Sequence, residues 1–96
     1  MIDIAKLQDI AANSTVLDGK LAAQKILDIR NRLKEQTVTK DQAKYELIAL
    51  AGVHSKMIIQ EESVENKLFL RKILDVKNSS GTGTTASQTI DELALS

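Results

Sequence analysis

Ninety-six residues, 43% apolar and 27% charged, suffice for one small folded domain and exclude a two-domain enzyme. Thirteen basic side chains balance thirteen acidic ones, so no whole-molecule field draws the chain to nucleic acid or to an anionic membrane. Cysteine is absent, which removes disulfide scaffolds, thiolate zinc sites and thiol catalysis, and the absence of proline with only two aromatic residues, Tyr45 and Phe69, favours helices over strands. The expected class is all-α.

The first residues include Asp3 and lack the basic start and apolar run of a secretion signal, so the expectation is a mature N-terminal end. Ile4, Leu7, Ile10 and Ala11 recur at steps of three and four, and Asp3 stands where a side chain can cap free backbone N–H groups. This predicts a first helix over about 3–13. Asn13-Ser14-Thr15 and Asp18-Gly19 then break the pattern. From about 19 to 36, Leu21, Ala22, Ile26, Ile29 and Leu33 form one stripe, which predicts a second helix with one buried face.

Thr39 and Gln42 have the spacing of a capping box, so a third helix is expected to start at Thr39 or Lys40 and to form a helical hairpin with the second. Nothing stops it before Asn78, and 39–77 reads as one helix about 55 Å long at 1.5 Å per residue. Along it Leu47, Leu50, His54, Met57, Glu61, Val64 and Leu68 follow alternating steps of three and four, a heptad seam of the kind two helices bury between them. A second apolar strip, Ile48, Ile59, Leu70 and Ile73, lies more than 90° away and needs a cover of its own. Self-association or a protein partner would supply it; alternatively the first helix folds over the strip and closes a three-helix bundle.

The run from Asn78 to Ser87 holds no large apolar side chain, so 1–77 is expected to be the helical domain and 78–88 a flexible linker. Apolar residues return in 89–96, where Ile90, Leu93 and Leu95 suggest a tethered docking peptide, the alternative being a frayed terminus. No run of apolar residues exceeds Leu47–Val53, far short of a bilayer span, so no membrane role is expected.

No motif fixes a chemistry. His54 and Glu61 stand two helical turns apart, roughly 10 Å, whereas metal ligands on one helix are spaced by three or four residues. His54 reads instead as a polar seam residue that sets register or oligomeric state. No nucleophile has a base and oxyanion donors around it, and the glycine-containing run Ser80–Thr85 lacks the lysine and preceding strand of a phosphate loop. No cofactor, metal or catalytic residue is expected. Charge alternates in blocks: residues 20–45 carry seven basic and three acidic side chains, 46–66 one and four, and 67–77 four and one. Arg30, Arg32, Lys34, Lys40 and Lys44 gather near the hairpin tip, a footprint for phosphate or an acidic protein, although without aromatic platforms nucleic acid is the less favoured reading. The sequence therefore points to a non-catalytic structural or adaptor protein, in the cytoplasm or within an assembly such as a virion. A nucleic-acid-associated regulator using the basic tip is the alternative.

Overall fold

A computed structural model describes residues 2–54, 64–74 and 84–96, without the side chains of Asp18, His54, Thr84 and Thr85. These residues form five helices and no strand: α1 (Ile4–Asn13), α2 (Leu17–Lys34), α3 (Lys40–His54), α4 (Val64–Leu74) and α5 (Thr84–Leu95). The all-α class holds, with five described helices where the sequence pattern suggests three.

Local chemistry sets the helix ends. Asp3 caps α1 by accepting from the Lys6 amide at 3.1 Å. α2 ends in a Schellman turn: the Thr37 amide reaches back to the Arg32 carbonyl at 3.0 Å and the Gln36 amide to Leu33 at 3.2 Å. Gln36 takes the left-handed conformation this turn demands, with φ of 59°. Two residues later the capping box forms as its spacing requires: Thr39 Oγ1 accepts from the Gln42 amide at 3.1 Å, and Gln42 Oε1 accepts from the Thr39 amide at 3.3 Å. The short reversal folds α3 back along α2 as a hairpin, pairing Arg32 with Glu46 across it.

α2 is the hub and packs against each of the other four helices. Its inward side presents Ala22, Ala23, Ile26 and Ile29, all at most 3% exposed, and the two alanines let neighbouring backbones come close. One continuous core joins Leu7 and Ile10 of α1, Ala43, Leu47, Leu50 and Ala51 of α3, Leu70, Ile73 and Leu74 of α4, and Ala86, Ile90 and Leu93 of α5.

Three expectations are corrected. The segment 39–77 is not a single helix, because α3 and α4 pack against one another and the molecule measures only 32 × 30 × 20 Å. The reason lies in the two apolar strips. At 100° per residue Leu47 and Leu70 would stand roughly 140° apart on a continuous helix, and two separate helices let both face one core. Second, α5 begins at Thr84, so part of the stretch assigned to a linker, 84–88, is helical and Ala86 is fully buried; 78–83 lie outside the described residues. Third, the C-terminal segment docks on its own chain: Ile90 and Leu93 are buried against α2 and α3, and only Leu95 stays exposed.

Candidate functional site

Three surface features of the described residues bear on the expectations from sequence: the hairpin tip, the groove between α2 and α3, and the outer face of α4; Leu17 and Leu21 of α2 are exposed as well. The hairpin tip carries the five basic residues singled out by the sequence, and the fold separates them. Arg30 donates to the Ser96 carbonyl oxygen through Nη2 at 2.8 Å and Nε at 3.3 Å. Lys40 pairs with Asp91 at 3.0 Å, tying α3 to α5. Arg32 donates through both terminal nitrogens to the Glu46 carboxylate and lies 3.1 Å from Asp28. Lys44 stands over the Tyr45 ring at 5.8 Å, and Lys34 is exposed. Three of the five cations are thus engaged with acceptors on neighbouring elements, which lowers the positive potential available to a phosphate.

The groove between α2 and α3 has a volume of about 360 Å³. Ile29, Ala49, Leu50 and Val53 line its apolar part, and Lys25, Asp28, Arg32 and Glu46 its polar edge. Arg32 holds the Glu46 carboxyl below its ordinary value, chiefly through their hydrogen bonds, and Glu46 in turn raises the already high value of the guanidinium. A carboxylate kept ionised and a guanidinium kept protonated make a fixed cross-brace, not an acid–base pair poised near neutrality.

The heptad seam is divided by the fold. Leu47 and Leu50 are buried in this chain's own core, the His54 side chain, Met57 and Glu61 lie outside the described residues, and Val64 and Leu68 are 67% and 58% exposed on α4. The second strip goes inward: Leu70 and Ile73 are buried, Ile48 is half-buried, and Ile59 lies outside the described residues. On α4 the buried side, Leu70, Ile73 and Leu74, is centred opposite Leu68, which stands on the midline of the solvent side with Val64 one turn away. Glu65, Arg71 and Lys72 border them. The heptad spacing located this pair, but its period continues through the buried Leu47 and Leu50, so spacing alone does not separate core from surface.

The Lys6 side chain links α1 to α4. Lys6 Nζ donates to Glu65 Oε1 at 2.6 Å and lies 5.7 Å from the centre of the Phe69 ring. Among the described residues no group of three or more His, Cys, Asp or Glu side chains is placed to hold a metal ion, and no helix is long and apolar enough to cross a membrane. Compared with models of known families, with curated proteins and with solved structures, the chain matches none.

Proposed function

We propose that the chain is a non-catalytic structural or adaptor protein that self-associates or packs on a larger protein assembly, with the solvent face of α4 as its contact surface. The observation that carries this reading is the exposed pair Val64 and Leu68 on a helix whose opposite side is already buried. A lone surface leucine needs no explanation. Two apolar side chains at i and i+4 on the midline of a solvent face, bordered by charges, have the pattern of a helix–helix contact. They do nothing for the core, which α5 completes. The basic tip offers less support for nucleic acid, since Arg30, Arg32 and Lys40 have acceptors within the chain.

A photoreactive side chain in place of Leu68, introduced into the full chain in its native cells, tests the reading. Cross-links from α4 to protein are expected, and they should weaken when Val64→Asp is added. Cross-links to nucleic acid alone, or none above those from a photoreactive group at the exposed Gln8 of α1, would overturn the proposal.

A further inference from the structure

We infer that the partner of this face is a second copy of the chain, docked antiparallel along α4 about a two-fold axis that passes beside Leu68. The inference rests on the reading of α4 as a protein-contact surface and adds the identity of the occupant. What carries it is the order of charges along the helix. Glu65 lies in the first turn, and Arg71 and Lys72 in the last. An antiparallel copy therefore brings the acidic end of each helix to the basic end of the other.

The register can be worked out from helical geometry. Taking Leu68 as the midline, 100° per residue places Glu65 and Lys72 on one flank and Val64 and Arg71 on the other, each within roughly 60° of the centre. A two-fold axis perpendicular to two antiparallel helices keeps each flank facing its own counterpart. With the axis beside Leu68, a rise of 1.5 Å per residue puts Glu65 of one copy level with Lys72 of the other to within about one residue. The symmetry forms that pair twice. Leu68 meets Leu68 at the centre, Val64 covers the aliphatic stem of the opposing Arg71, and the opposed helix dipoles add a favourable term. A partner charged uniformly along its contact face would meet one end of α4 well and the other badly.

The groups needed are available. Among the described residues neither Arg71 nor Lys72 has an ion-pair partner, and both are exposed. Glu65 already accepts from Lys6 through Oε1, but its side chain is 81% exposed and its second oxygen can accept from another ammonium. The contact is small. Eleven residues span about 16 Å, so the interface belongs to the weak, transient class rather than to obligate dimers.

Sedimentation equilibrium of the full chain over a dilution series reaching about 1 mM, the range a transient contact requires, reads this directly. The weight-average mass should climb from 10.5 kDa toward twice that value and return on dilution. Leu68→Asp should hold the chain as a monomer throughout. Glu65→Lys alone and Lys72→Glu alone should each weaken association about tenfold or more, because each sets two like-charged pairs face to face. The two single variants mixed, or both changes in one chain, should restore it. These side chains lie on the solvent side of α4 and outside the core; Glu65→Lys also gives up the exposed Lys6 ion pair, so a urea midpoint for each variant separates lost association from lost folding. A mass fixed at one chain at the highest concentration, or a dimer indifferent to Leu68→Asp and to the charge exchange, would overturn the inference. The cross-link at Leu68 separates the two proposals: capture of a different protein without a second copy would sink the dimer and leave the adaptor reading, whereas no protein capture would sink both.

Discussion

At the scale of single residues, the turn after α2 carries a cost that a substitution can expose. Gln36 holds φ at 59°, where a Cβ crowds the following carbonyl and glycine does not. Gln36→Gly should therefore stabilise the protein by about 0.5–1 kcal/mol, seen as a higher urea midpoint at unchanged slope. An unchanged or lower midpoint would mean that the Gln36 side chain contributes more than its backbone strain costs. The Arg32–Glu46 brace gives a pH prediction whose sign follows from the lowered Glu46 value. The pair contributes fully above the ordinary carboxylate range. As pH falls through about 4.3 and below, the unfolded chain takes up the proton first and the contribution is lost. With side chains 31% and 42% exposed the effect is a few tenths of a kcal/mol up to about 1 kcal/mol. The stability gap between wild type and Glu46→Gln should be open at neutral pH and shrink progressively as pH falls below about 4.3, measured as paired urea midpoints.

At the scale of elements, the sequence is most readable where a local signal decides the outcome. The Asp3 cap, the Thr39–Gln42 box and the reversal between α2 and α3 each rest on residues within one turn of each other, and each is found where its spacing puts it. The division of 39–77 into α3 and α4 is different. No proline or capping box marks it, and both halves carry the same period, so only tertiary packing favours the two separate helices that bring Leu47 and Leu70 into one core. The C-terminal segment misleads for a similar reason. A weakly amphipathic helix after a stretch rich in serine, threonine and glycine has the pattern of a tethered peptide whether its groove lies on another molecule or on its own chain. Leu93 settles which it is, with no exposed surface and a place in the core cluster. Leu93→Ala should cost about 2–5 kcal/mol, the range for a large side chain removed from a packed core. A loss below about 1 kcal/mol would place α5 outside the cooperative unit.

At the scale of the whole molecule, a two-helix hairpin whose one aromatic residue, Tyr45, is exposed buries too little apolar surface to offset the ordering of its backbone. The chain meets this need internally. α2 runs through the middle, α1 and α3 pack along it, and α4 and α5 return to cover what the hairpin leaves open. Much of the surface assigned by sequence to a partner is thereby used up: Leu47, Leu50, Leu70, Ile73, Ile90 and Leu93 all belong to this chain's core. Of the described seam residues, Val64 and Leu68 stay exposed, and the proposed contact rests on that row with its dipolar border of charges. That row belongs to the heptad seam, and the burial of Leu47 and Leu50 in the core is what sets it apart from them. Exposed ion pairs between α1 and α4, α2 and α3, and α3 and α5 stitch the layers in register and add little to their stability.

The account turns on α5 being an inward-facing part of one core, because a C-terminal segment that docked elsewhere would uncover the surface of α2 and α3 and shift recognition away from α4. Native-state hydrogen exchange of the full chain measures this residue by residue. Amides of Ile90 to Leu93 are predicted to be protected to the same degree as those of Ala22 to Ile29, both opening only with the whole molecule. Exchange of α5 at the rate of a free peptide, with α2 still protected, would contradict it.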